Sequence, residues 1–239
     1  LASLVHAEDA QSPVQFELNG DRSPSEQRVA KRLGFFEIWT RDGDVLAKSD
    51  SMKAGDLRLA VQEAAGANPE SYSMTVRGGR VSISGPSDTG VFNGTRTLKQ
   101  EVHGGGTAPE GVVRDQPAKP VRGFTLDMAR KYFTAGWIED RVRELGDLKF
   151  NQLGLHFSDD QGFRIESDSH PEIVSQRHLT KAEVERIVAL AASRHITVVP
   201  EIDSPGHLGA VLAAHPDLQL RNAQGVAAQR PFYFDHVAD

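Results

Sequence analysis

Hydrophobic and polar positions alternate with a period of two through Tyr72-Ser73-Met74-Thr75-Val76 and again through Val81-Ser82-Ile83. This is the spacing of strands with one buried face. Residues 69–76 and 80–84 therefore predict a hairpin, with Gly78-Gly79 as its two-residue turn. The period then lengthens. Val91, Phe92, Thr95, Leu98 and Val102 share one face of a helix over 89–102, which predicts a helix packed on the hairpin. Residues 103–118 are rich in Gly and Pro, show no periodicity and read as a connector.

Beyond Pro120 short apolar runs alternate with helical stretches. Strands are predicted at 121–127, 152–158 and 197–202. A helix over 137–148 lies between the first two, with Trp137 in its apolar stripe and so expected in the core. Thr180-Lys181-Ala182-Glu183 is a capping box. It opens a second helix whose Val184, Ile187, Val188 and Ala191 should face inward. Strand–helix alternation implies right-handed crossovers and a parallel sheet. The predicted class is α/β: a small α+β domain over 1–118, then over 119–239 the first roughly three βα units of a TIM-type (β/α)8 barrel. A barrel is favoured over an open sheet because each strand ends in polar, chemistry-bearing residues.

Charge and composition narrow the function classes. A net charge of -6 with mixed signs offers no basic stripe, so nucleic acid is not an expected partner. No apolar run approaches the roughly 18 residues of a membrane span. The chain has no cysteine, so neither disulfides nor thiolate chemistry arise. No Gly-rich phosphate loop follows a strand, which weakens a nucleotide-binding reading. Residues 1–10 begin with Leu and carry no charged segment or long apolar core that would establish a secretion signal.

Candidate chemistry gathers in three segments: Arg122-Gly123-Phe124-Thr125-Leu126-Asp127-Met128-Ala129-Arg130, Leu155-His156-Phe157-Ser158-Asp159-Asp160-Gln161-Gly162-Phe163-Arg164, and Pro200-Glu201-Ile202-Asp203-Ser204-Pro205-Gly206-His207. His156, Asp159, Asp160 and His207 are of types that suit zinc or manganese, but their spacing fits no metal motif, and no metal or other cofactor is expected. Asp127, Asp160, Arg164, Glu201 and Asp203 read as scaffold that pairs and fixes loops. Arg130 is open to a plain alternative, a surface residue at a helix start, and Asp159 and His207 to another, loop capping.

Together and in order, the three segments resemble family-20 glycoside hydrolases, the β-N-acetylhexosaminidases, and the 69–102 stretch resembles the small domain that precedes the barrel there. Phe163 stands where many relatives carry Trp. The resemblance implies retaining catalysis in which the substrate's own acetamido oxygen attacks the anomeric carbon. It implies that Arg130 binds the 3- and 4-hydroxyls of the terminal sugar. Asp159 and His207 would support the general acid. The family's catalytic pair is an adjacent Asp-Glu after the fourth strand, and no Asp-Glu dipeptide occurs in this chain. The expectation is therefore an N-terminal portion, inactive alone, of an enzyme acting on glycans or chitin oligosaccharides with terminal N-acetylhexosamine. Secretion or a periplasmic location follows from the family alone.

Other readings remain open. The chain could be a non-catalytic carbohydrate-binding or interaction fragment, or an enzyme using Asp159 or Asp160 as its acid. Residues 120–239 provide about half of the about 250 residues of a complete barrel, and an open three-stranded piece leaves an unpaired edge that invites self-association.

Overall fold

In the computed structural model, residues 57–105, 108–221 and 223–224 are described. The N-terminal segment 1–10, read above for a secretion signal, lies outside them. The described residues divide into two units at Pro120/Val121.

Among the described residues, the first unit is a four-stranded sheet carrying one helix. Its strands are β1 (Leu57–Val61), β2 (Tyr72–Arg77), β3 (Arg80–Gly85) and β4 (Gly111–Asp115), in the order β1-β3-β2-β4. β2 and β3 form the predicted antiparallel hairpin, and both turn glycines take the positive φ that the tight turn demands, 57° and 74°. Helix α1 (Asp88–Gly105) buries Val91, Phe92, Leu98 and Val102. The sheet's buried face carries Leu59, Met74, Val81 and Ile83. Gly94 lets the helix approach closely, since a Cβ there would meet Ile83 Cγ2 and the Tyr72 ring.

The connector expected over 103–118 is corrected on two counts. The helix continues to Gly105, and Gly111–Asp115 pairs antiparallel with β2. β4 is an edge strand exposed at every position, so no face of it imposes the alternation that periodicity detects. β1 was not predicted, although Leu57 and Leu59 are buried and Arg58 between them is exposed.

In the second unit β5 (Gly123–Asp127), β6 (Gln152–His156) and β9 (Thr197–Glu201) form a parallel sheet in the order β5-β6-β9. Helix α2 (Ala135–Asp147) connects the first pair, and α3 (Lys181–Ala192) connects the second. A small β7–β8 hairpin (Ser158–Asp159, Gly162–Phe163) follows β6. A short helix, α4 (Gly209–Ala214), follows β9. Ile138, Val142 and Leu145 of α2 and Ile187 and Ala191 of α3 pack with Leu153, Leu155 and Phe157 as one core. Both arms of the Thr180–Glu183 capping box are formed.

Two expectations about side-chain placement fail. Val188 is 43% exposed, because the covered stripe of α3 runs through Ile187 and Ala191. Trp137 lies at the surface rather than in the core. It stacks on Phe133 with ring centroids 4.4 Å apart, and the Arg141 guanidinium lies over its ring at 5.0 Å from the centroid.

Candidate active site

The parallel register fixes where the site lies. Asp127 pairs with His156, and His156 with Glu201, so the last residues of all three strands stand side by side. Past those ends the chain turns. The N–H groups of Met128 and Ala129 donate to the His156 carbonyl, and the Phe157 N–H donates to that of Glu201. Each loop is thereby tied to the neighbouring strand, and side chains one to six residues beyond the strands share a rim.

Asp159 is the hub. The residue is 1% exposed, yet its carboxylate meets four partners drawn from all three segments. Oδ1 accepts the Asp160 N–H at 2.7 Å and lies 3.3 Å from His207 Nδ1. Oδ2 lies 2.6 Å from Arg130 Nη2 and 3.0 Å from His156 Nε2. Burial alone would push this carboxyl up, but the Asp160 N–H, His156, Arg130 and His207 together hold it below the ordinary carboxylate value. A carboxyl held ionised this way is a poor proton donor, which counts against Asp159 as the acid of a different enzyme.

Arg130 is clamped by two carboxylates. Nη1 donates to Asp127 Oδ2 at 2.7 Å, and Asp127 Oδ1 accepts the Arg130 backbone N–H at 3.0 Å. Half of the Arg130 side chain is still exposed. The fork is thus fixed on its protein side and open toward solvent, the state in which a planar set of donors can recognise adjacent hydroxyls without first losing rotamer freedom. The hydrogen bond to Asp127, offset in part by burial, raises the affinity of Arg130 for its proton above the ordinary value, with Asp159 adding to it.

The residue that sequence reasoning undervalued is His156. Its Nε2 faces Asp159 and its Nδ1 lies 2.8 Å from Glu201 Oε1. Carboxylates only accept, so satisfying both contacts requires a proton on each ring nitrogen, the imidazolium. Burial lowers its proton affinity, but the Asp159 and Glu201 contacts win and raise it above the ordinary value. The available signal was the strand register: a residue at the end of the central strand stands beside the last residue of the next strand, here Glu201.

Of the residues read as scaffold, Asp127 and Glu201 meet Arg130 and His156 as described above, and the other three make contacts elsewhere. Asp160 Oδ1 accepts the Gly209 N–H at 2.9 Å, fixing the start of α4. Arg164 donates from Nε to the Ala129 carbonyl and from Nη1 to that of Arg177. The Asp203 N–H donates to Ser158 Oγ at 3.0 Å. His207 adopts φ 59°, a left-handed backbone uncommon outside glycine. Of the four residues considered as a metal cluster, Asp159, Asp160 and His207 converge at one point, while His156 meets Asp159 through Nε2 and turns Nδ1 to Glu201 and Asp203. The Arg130 guanidinium on Asp159 opposes a cation there.

Comparison with known proteins fits this geometry. The family model "Glycosyl hydrolase family 20, catalytic domain" matches residues 120–236, and that of the family's domain 2 matches residues 10–116. A β-N-acetylhexosaminidase of Cellulomonas fimi is 35% identical over 177 residues, covering 68% of this chain and 36% of the relative. A β-hexosaminidase of Akkermansia muciniphila is 33% identical over 178 residues, covering 66% of this chain and 36% of the relative. The chain thus spans about a third of the length of these relatives. The solved family-20 β-N-acetylhexosaminidase of Streptomyces coelicolor A3(2) superposes with a TM-score of 0.67 at 28% identity, covering 96% of this chain and 49% of that one. A mutant β-hexosaminidase of Streptomyces plicatus gives 0.66 at 29% identity, with 96% and 49% covered. With the domain 2 match ending at residue 116 and the catalytic-domain match starting at residue 120, this chain belongs to glycosyl hydrolase family 20, spanning its domain 2 and part of its barrel domain.

Proposed function

We propose that this chain supplies the sugar-holding side of a glycoside hydrolase that removes terminal β-linked N-acetylhexosamine from glycans or chitin oligosaccharides. The observation that carries the reading is the Arg130 fork, anchored by Asp127 and Asp159 at the C-terminal rim of a parallel sheet and exposed on its outer side. The Streptomyces plicatus relative was solved in complex with its product, GlcNAc, which supports an N-acetylhexosamine as the sugar held.

In this mechanism Arg130 donates to two neighbouring sugar hydroxyls and fixes the ring. The acetamido oxygen of the substrate then attacks its own anomeric carbon, forming a cyclic oxazolinium while the aglycone leaves with a proton. Water reopens the ring with retention. Asp159 stays ionised throughout. It orients Arg130 and His207, and through His207 it supports the group that moves the proton. No Asp-Glu dipeptide occurs among the 239 residues, so the proton donor and the carboxylate that orients the acetamide come from a longer protein, and the chain by itself binds without turnover. Export from the cytoplasm suits such polymeric substrates. Self-association of the open sheet is the corresponding proposal for the isolated chain, supported by exposed Phe124, Val199 and Ile202.

The test is substrate choice in the longer protein. An aryl β-N-acetylglucosaminide should be hydrolysed and the matching aryl β-glucoside should not, because only the former carries its own nucleophile. A thiazoline analogue of the cyclised intermediate should inhibit competitively. Equal rates on both aryl glycosides would refute substrate assistance.

A further inference from the structure

Away from the Arg130–Asp159 rim, two imidazoles converge on one carboxylate oxygen. His170 Nδ1 lies 2.9 Å from Glu172 Oε1, and His215 Nε2 lies 2.8 Å from the same atom. His170 and Glu172 sit at the 3-10 turn Pro171–Ile173, and His215 directly follows α4. The backbone holds both rings in place: the His170 N–H donates to Ser167 Oγ, and the His215 N–H donates to the Val211 carbonyl. The imidazoles meet edge to face, 90° apart with centroids separated by 6.0 Å, so their nitrogens reach the common point from different directions.

As an ion pair this cluster has little to contribute, since its side chains are between a third and two-thirds exposed. As a donor set it is well matched to a borderline divalent ion. Two neutral imidazoles and one carboxylate are the protein ligands of open zinc sites, with the remaining position left to water. All three donor atoms lie within 4.8 Å of one another. Zinc–ligand bonds of about 2.0–2.2 Å in a tetrahedron place ligand atoms about 3.3 Å apart. The two nitrogen–oxygen separations, 2.9 and 2.8 Å, need to open by only about half an ångström, a motion that exposed side chains can make.

We propose that His170, Glu172 and His215 form a surface site for a divalent transition ion of the zinc type, which staples the loop after β8 to the end of α4. The other end of α4 is held by the Gly209 N–H on Asp160, two residues beyond His207. The ion therefore steadies the segment that carries His207 while standing outside the catalytic rim.

The test uses the tag-free chain, stripped with chelator and titrated with zinc chloride at neutral pH. Wild type should retain about one equivalent after dialysis, and its melting temperature should rise with zinc concentration as linkage requires. The double variant His170→Gln/His215→Gln, with its fold checked by circular dichroism, should lose both effects. Independently of any variant, zinc should shift the His170 Nδ1 and His215 Nε2 resonances in long-range imidazole NMR spectra. No retained zinc, unchanged retention in the double variant, or shifts confined to His156 and His207 would each overturn the proposal.

Discussion

Arg130 Nη2 stands 2.6 Å from Asp159 Oδ2, joining the loop after β5 to the turn after β6. The two partners differ sharply in environment: half of the arginine side chain is exposed, and 1% of the aspartate side chain is. The buried partner therefore sets the geometry and the exposed one presents it. Asp127, 37% exposed, is the secondary clamp.

That asymmetry predicts unequal costs. Asp159→Asn should destabilise the fold by about 1–3 kcal/mol, because Arg130, His156 and His207 lose a common acceptor charge in a buried setting. Asp127→Asn should cost under about 1 kcal/mol, as expected for a partly exposed pair. Urea unfolding followed by circular dichroism checks both. Equal costs would mean that Asp159 is not the anchor.

His156 and Asp159 titrate in opposite senses, and the signs give a pH window. The proton affinity of His156 is raised in the fold, so its contribution is present below its ordinary value of 6.5 and is lost as pH rises through the folded value. Asp159 is depressed, so its contribution is present above the ordinary 3.8 and is lost as pH falls through the folded value. Stability should accordingly peak in weakly acidic solution and decline on both sides. His156→Gln should flatten the alkaline decline and leave the acid one. Melting temperatures of both proteins from pH 4 to 9 test this, and an alkaline limb that persists in the variant would contradict it.

Helix α3 offers a contrast within one turn. Ile187→Ala should cost about 2–5 kcal/mol, since the side chain is fully buried against the core of the second unit. Val188→Ala should change stability by under about 0.5 kcal/mol in the isolated chain, because that position is open to solvent. Comparable losses at both positions would indicate that Val188 is covered in solution, as self-association through this face would produce.

These contrasts also mark what the sequence makes legible. Residues packed against a neighbouring layer carry a period, so the β2–β3 hairpin, α1 and the three parallel strands are readable from apolar spacing. β4 is exposed on both faces and leaves no such trace. Val188 and Trp137 continue a helical stripe in sequence, but the stripe is wider than the surface that covers it. Arg130, Asp159 and His207 are identifiable only through their motifs, and the structure brings all three together around Asp159. His156 hides in the same motif because half of its role comes from register: the Asp159 contact is local, three residues on, but only the β6–β9 pairing brings it to Glu201.

Arg130 itself should matter to the transition state more than to folding. In the longer enzyme Arg130→Ala should lower kcat/KM by about 2–4 kcal/mol, some 30- to 1,000-fold, with a melting temperature close to wild type. Arg130→Lys should restore little, because an ammonium cannot reproduce the fork. Unchanged kcat/KM would remove Arg130 from the sugar site.

The most direct measurement compares turnover of an aryl β-N-acetylglucosaminide by the 239-residue chain, at verified intact mass, with turnover by the longer protein under the same conditions. The account predicts no turnover from the chain and hydrolysis by the longer protein. Robust turnover by the chain itself would place a proton donor among these residues and contradict the division of the site into a sugar-holding side here and an acid elsewhere.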